Sequence, residues 1–193
     1  MQSEIYLNRR NRDSYRHLPH IRGARGPQFV TFRLADSLPR HVLAKVLWNQ
    51  PDGLAYLEDC LDKGYGSCWL RRPDIATTVQ SALQHFHDDR YRLHAWVIMP
   101  NHVHILLTPQ DGWELERIIK SLKSFSGRMA NRVLNREGAF WQEDYFDRAI
   151  RNVEHHSQVV EYIHWNPVKA GLCMGPTDWA YSSVSGCDID WIL

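Results

Sequence analysis

The sequence predicts an α+β fold, a ferredoxin-like or RRM-like antiparallel sheet covered by helices. Three observations carry this: an aromatic and β-branched run that opens the ordered chain, two further such runs separated only by Pro100 and Asn101, and amphipathic helical segments between and after them. The order is strand, helices, hairpin, helix, short strand, helix. With 193 residues and 44% hydrophobic content the chain can build one domain with a real core and is too short for two ordinary ones. The organisation expected is a basic arm over 1–26, one domain over 27–183 and a tail over 184–193.

Taken in order, the first 26 residues are polar and Arg-rich, closed by Gly23, Gly26 and Pro27, and read as an arm outside the core. QFVTFRL, from Gln28, alternates Phe29, Thr31 and Arg33 against Val30, Phe32 and Leu34, which is a strand pattern. Ser37 is expected to cap a helix whose apolar stripe is Val42, Leu43, Val46 and Leu47. Gly53, Gly64 and Gly66 punctuate the chain up to Pro73 and leave room for a short helix around Leu54 to Leu61. Ile75, Val79, Leu83 and Phe86 stand at helical spacing and predict a second helix. YRLHAWVIM and HVHILLTP then read as two strands of a tight hairpin. From Trp113 to Asn135, Leu115, Ile118, Ile119, Leu122, Phe125 and Met129 recur with basic residues between them, giving an amphipathic basic helix. FWQEDYFDRAIR holds a short edge strand. The last helix starts near Val153 and is expected to stop at Trp165, because the residue before Pro167 is biased away from helical geometry.

Formal net charge is +1, so total charge gives no sign of a polyanion partner. Its distribution is more informative. Residues 1–25 carry six arginines, among them Arg9, Arg10 and Arg12, against two acids, and residues 114–136 carry six basic residues, among them Lys120 and Lys123, against two acids; each block is net +4. Acidic residues gather elsewhere, at Asp52, Glu58, Asp59 and Asp62 and at Asp88 and Asp89, which is expected to leave one side of the molecule positive. Ordinary solvated helix faces are the alternative. Eight Trp and eight Tyr serve equally as core filler and as stacking surfaces for unpaired bases. Cys60, Cys68, Cys173 and Cys187 show no CxxC spacing, which argues against a zinc knuckle or redox pair and for reduced thiols. No apolar run approaches the roughly 18 to 20 residues that span a bilayer, and MQSEIYLNRRNRDSYR has no apolar signal core, so no membrane role and a cytoplasmic location are expected.

Side chains two apart on a strand share a face, so His102 and His104 present two imidazoles side by side while Val103 turns to the opposite layer. Two neutral imidazoles on a rigid strand can hold one divalent ion and leave room on it for a substrate oxygen. A hydrogen-bonded or surface pair satisfies the same spacing. On the last helix His155, Val159, Tyr162 and Asn166 fall along one face, which makes Tyr162 and Asn166 neighbours. A phenol can attack a phosphodiester and store its bond energy as a phosphotyrosine, but with a pKa near ~10 it needs a cation or base beside it. The alternative for Tyr162 is a core tyrosine tied to a backbone carbonyl. For Asn166 it is a residue chosen for the helix end before a proline. His94, His155 and His164 are candidate helpers.

The strings WVIMPNHVHILL, FWQEDYFDRAIRN and EYIHWNPVKAGLCMGPTDWAYSS together resemble the single-tyrosine transposases of the His-hydrophobic-His endonuclease superfamily, in the branch associated with repetitive extragenic palindromes (REP). The resemblance runs from about Phe29 to Ser183, and MPNHVH with NPVKAG at this separation is far more specific than either alone. It implies a bacterial, nucleoid-associated enzyme whose catalytic domain is the 27–183 unit. It further implies metal-binding histidines at His102 and His104, a nucleophile at Tyr162 and a third metal ligand at Asn166, where related branches carry Gln. The implied substrates are single-stranded DNA folded into palindromic hairpins. The implied cofactor is Mg²⁺ or Mn²⁺, with Mn²⁺ better matched to two imidazoles. Arg148 and Arg151, in the family-like DRAIR string, become candidate phosphate contacts beside Arg9, Arg10, Arg12, Lys120 and Lys123. A monomer is favoured over a homodimer.

Two other classes fit parts of the pattern. A non-catalytic regulator of the same fold would bind single-stranded nucleic acid with the same aromatics and arms; the presence of both histidines and Tyr162 argues against it. A zinc hydrolase using His102, His104 and His155 would need an acidic base, and no HExxH pairing is present.

Overall fold

The computed structural model describes residues 26–39 and 53–185. Strand β1 (Gln28–Arg33) takes an inner position in a four-stranded antiparallel sheet with β2 (Tyr91–Ile98), β3 (His102–Pro109) and β4 (Phe146–Ala149), in the order β2-β3-β1-β4. The described helices are α1 (Gly53–Asp62), α2 (Pro73–His85), α3 (Leu115–Val133) and α4 (Val153–Lys169). Strand β1, helix α2, the β2–β3 hairpin, helix α3 and strand β4 form a βαββαβ unit, so the expected ferredoxin-like α+β architecture is observed.

Period-two alternation sorts the strand residues between two layers. Val30 and Phe32 of β1 with Val103, Ile105 and Leu107 of β3 face α2 and α3, where they close a core with Ile75, Val79, Leu83, Ile118, Ile119 and Leu122. Each such burial stabilises the fold by about 1.5–3 kcal/mol, which is why this face is unambiguous. On the other face Phe29, Ala95, Val97, Met99 and Leu106 pack against Val159 and Ile163 of α4. His102 and His104 belong to this second face, with Thr31 directly across from His104.

The register of β2 depends on a bulge that simple alternation does not show. Leu93 pairs with Leu107 but Ala95 pairs with Leu106, so His94 is an extra residue in the strand. Leu93 therefore enters the α2–α3 core while Ala95 turns toward α4. The same shift sets Val97 opposite His104. Beyond β2, the Ile98 N–H donates to the Tyr181 carbonyl at 2.8 Å and the Ser183 N–H to the Trp96 carbonyl at 2.9 Å, which covers an otherwise open edge.

The last helix does not stop at Trp165 as expected; α4 runs through Pro167 to Lys169. Pro167 lacks the N–H that would bond the Ile163 carbonyl, but it lies in the final turn, and Ile163, Asn166 and Pro167 are all buried. Burial of that face outweighs the local bias before proline. The end is closed by the Ala170 N–H on the Asn166 carbonyl and the Leu172 N–H on the Pro167 carbonyl, both 2.9 Å.

The helix expected after Ser37 falls on residues outside those described, as do the 1–25 segment with Arg9, Arg10 and Arg12, most of the tail, and Cys187. Ser37 itself is buried, its hydroxyl donating to the Leu34 carbonyl at 2.8 Å. Cys60, Cys68 and Cys173 are free. Among the described residues no helix is long and apolar enough to cross a membrane.

Candidate active site

The hairpin delivers His102 and His104 to the α4 side of the sheet, both with no exposed surface. Their Nε2 atoms converge to 3.0 Å. The other ring nitrogens are held from behind: His102 Nδ1 lies 2.8 Å from Asn101 Oδ1, and His104 Nδ1 lies 2.7 Å from Thr31 Oγ1. An amide oxygen only accepts, so the His102 proton sits on Nδ1 and the Nε2 lone pair faces inward. Asn101 is itself anchored, its amide donating to the Leu61 and Tyr65 carbonyls at 3.2 and 3.1 Å. Phe29 stacks on His104, 5.4 Å between ring centroids and 21° between planes. Burial pushes His102 down to about 3 and moves His104 lower than usual, so both imidazoles are neutral in the working pH range.

Helix α4 brings Tyr162 and Asn166 over this pair. The Tyr162 ring lies 5.5 Å from the His104 ring and 5.9 Å from Phe29, edge-on to both. Asn166 is buried with its Nδ2 3.5 Å from His104 Nε2. The i, i+4 spacing read from the sequence thus becomes a shared wall of one site. The Tyr162 oxygen and Asn166 Oδ1 are enclosed and make no well-formed hydrogen bond. Such orphaned buried groups are costly, about 1–3 kcal/mol each, and mark a place built for something else.

The acidic residues, which the sequence sets apart from the basic blocks, include two with a place at this site. Glu58 and Asp62, one turn apart on α1, stand at the site. Asp62 Oδ1 is 3.9 Å from His102 Nε2, while Oδ2 is 3.9 Å from Lys169 Nζ. The Glu58 carboxylate faces Tyr162: burial first, then the Glu58 charge, raises the phenol well above its ordinary value. Burial likewise raises Glu58, which keeps it a better proton acceptor than an exposed carboxylate. Asp62 is pushed up to about 6, again by burial first, against the lowering effect of Lys169. Charge counting misled because it treats a run of acids as one solvated face. The available signal was the four-residue spacing of Glu58 and Asp62, which puts two carboxylates on one side of a helix.

A divalent ion fits this donor set. Two neutral Nε2 atoms 3.0 Å apart match neighbouring corners of an octahedron with bonds of about 2.1 Å. Asn166 Oδ1 and Asp62 Oδ1, both enclosed without a hydrogen-bond partner, are the oxygens available beside them. Among the described residues no three His, Cys, Asp or Glu side chains are grouped closely enough to make a metal site by themselves. The Asn166 amide oxygen is the further donor at hand.

The remaining candidates are scattered. Arg148 is exposed on β4, on the histidine face of the sheet, where its charge acts on Glu58. Arg151 is exposed just before α4, its N–H 3.3 Å from His155 Nδ1. Lys120 and Lys123 are on α3, across the sheet from the histidines. Lys120 is exposed, whereas Lys123 donates to the Glu143 and Asp144 carbonyls at 2.6 and 3.3 Å. His94 pairs with Thr108 at 2.8 Å and His164 with Ser183 at 2.9 Å, so neither joins the site, nor does His155 at the start of α4.

Residues 69–166 match the family model described as "Transposase IS200 like". Over 125 residues the chain is 30% identical to the REP-associated tyrosine transposase of Escherichia coli (strain K12), covering 58% of this chain and 69% of that one. A solved REP-associated tyrosine transposase bound to a REP hairpin has a similar fold, with TM-score 0.53 and 22% identity, over 88% of this chain and 81% of that one.

Proposed function

The chain belongs to the IS200-like transposase family, and from that premise we propose that it nicks and rejoins single-stranded DNA at palindromic hairpins through a 5′-phosphotyrosine on Tyr162. The observation that carries this reading is the meeting of Tyr162 and Asn166 with two converging, neutral imidazoles, 3.0 Å apart, in one buried site.

His102, His104 and Asn166 would hold a divalent ion, Mg²⁺ or Mn²⁺. When bound, that ion supplies Lewis-acid polarisation of the scissile phosphate. The chain's own groups supply the rest. Phe29 and His104 hold the Tyr162 ring edge-on, which limits its reach to one line of attack. Tyr162 Oη bonds to phosphorus as the bond to the 3′ oxygen breaks, and the departing oxygen takes a proton from water, leaving a 3′ hydroxyl and a 5′ phosphotyrosine. Glu58 takes the phenolic proton. Rejoining reverses these steps, with a DNA 3′ hydroxyl as nucleophile and Glu58 returning the proton. Arg148 and Arg151 contact backbone phosphate near the site, and Lys120 and Lys123 add basic surface farther away.

The test is covalent capture. Protein incubated with Mn²⁺ and a single-stranded hairpin bearing a 5′ flank is expected to give a denaturation-resistant adduct on the peptide containing Tyr162. An adduct on Tyr145 or Tyr181, or hydrolysis without an adduct, would overturn the assignment.

Two further outcomes follow. Glu58→Gln removes the proton acceptor but little volume, so nicking should fall by about 10²–10⁴-fold at neutral pH with hairpin affinity retained; unchanged nicking would remove Glu58 from the mechanism. Deleting residues 1–25, a net +4 segment, should flatten the salt dependence of DNA binding by about 0.7 in slope for each phosphate that the arm neutralises in the intact chain. An unchanged slope would mean that the arm does not touch DNA.

A further inference from the structure

We propose that Asp62 is the charge-balancing neighbour of the metal site, placed beside the His102, His104 and Asn166 donors by helix α1. The inference rests on the metal-dependent reading above and deepens it. Two neutral imidazoles and an amide oxygen carry no net charge, so a divalent ion bound by them alone would sit in a buried site with its charge uncompensated. Asp62 answers that deficit. Its Oδ1 is enclosed without a hydrogen-bond partner and lies 3.9 Å from His102 Nε2, the ring nitrogen that keeps its lone pair.

A second observation points the same way. Asn166 is 1% exposed and its Oδ1 also has no partner, although its amide reaches to 3.5 Å from His104 Nε2. Two orphaned oxygens from different helices thus border one pair of converging nitrogens. The connection between α1 and the histidine strand is direct, because Asn101 donates to the Leu61 carbonyl while its Oδ1 accepts from His102 Nδ1. The residue that orients the imidazole therefore also fixes the end of the helix that carries Asp62. Lys169 Nζ, 3.9 Å from Asp62 Oδ2 and 58% exposed, is the cation with which a bound metal would compete.

The experiment is titration of the full, DNA-free chain with Mn²⁺, reading its dissociation constant and the metal-induced rise in Tm. Asp62→Asn keeps the shape and removes the charge. It is expected to weaken Mn²⁺ binding by about 10- to 100-fold and to shrink the Tm rise. Glu58→Gln, which removes one charge that faces Tyr162 and has no contact with either histidine, is expected to cost no more than about threefold. Lys169→Met removes the competing cation and should bind Mn²⁺ at least as tightly as the wild type. Wild-type affinity in Asp62→Asn, equal losses in Asp62→Asn and Glu58→Gln, or a matching loss in Lys169→Met would each overturn the proposal, the last by making Asp62 merely the holder of Lys169. Mn²⁺ binding lost in His102→Ala but kept in Asp62→Asn would leave the metal reading standing and remove only Asp62. A wild type that binds no Mn²⁺ would overturn both.

Discussion

Tyr162→Phe is expected to abolish nicking, by at least about 10⁴-fold, while leaving the fold and hairpin binding intact. The substitution removes one oxygen. That oxygen is enclosed and without a well-formed hydrogen bond, so its loss should hold or slightly raise the melting temperature rather than lower it. The ring contacts with Phe29 and His104, 5.9 and 5.5 Å between centroids, do not involve the hydroxyl and persist. A buried phenol raised by desolvation and by Glu58 is a poor nucleophile on its own, so the expected attack depends on a proton acceptor beside it. Nicking assays on hairpin oligonucleotides beside thermal unfolding would separate chemistry from folding. Full activity in the Phe variant would show that another group attacks.

The second large effect is expected from replacing both His102 and His104. The double Ala variant should lose metal-dependent nicking entirely, with hairpin affinity held within about tenfold because phosphate contacts elsewhere supply most of it. The cost to the fold differs from the Tyr162 case. Both imidazoles are fully buried, and their removal empties a cavity and strands Asn101 Oδ1 and Thr31 Oγ1. Part of any loss could then come from unfolding, so His102→Gln and His104→Gln, which fill the space and keep a polar terminus, form the second arm. All variants should lose Mn²⁺ binding as well as cleavage. Nicking at wild-type rate in a well-folded double variant would sink the metal assignment.

The Glu58 and Asp62 carboxylates show why a nearly neutral total charge says little about where charge sits in this chain. Acidic residues that cancel the basic blocks in a net count are not all idle surface: two of them, with Lys169, border His102 and Tyr162. A net charge of +1 is therefore compatible with membership of the IS200-like transposase family, because charges farther apart than a Debye length act independently of their sum.

Much of the fold is written in local pattern. Alternation in QFVTFRL and HVHILLTP set the faces of β1 and β3, helical spacing identified α2, α3 and α4, and the Pro100–Asn101 interruption located the hairpin, because backbone periods of about 2 and 3.6 residues act on neighbours alone. The same periods paired His102 with His104 and Tyr162 with Asn166. Three things needed the folded chain. The His94 bulge turns Ala95 and Val97 toward α4 through pairing with a second strand. The continuation of α4 past Pro167 depends on burying Ile163 and Asn166 under the sheet. The arrival of Glu58 and Asp62 at the site depends on how α1 packs, with Asn101 bonded to the end of that helix some 40 positions earlier in sequence. Residue identity and spacing thus decided which groups could do the chemistry; only packing between distant segments decided which of them meet, since the free energy that brings them together comes from long-range burial and not from any local preference.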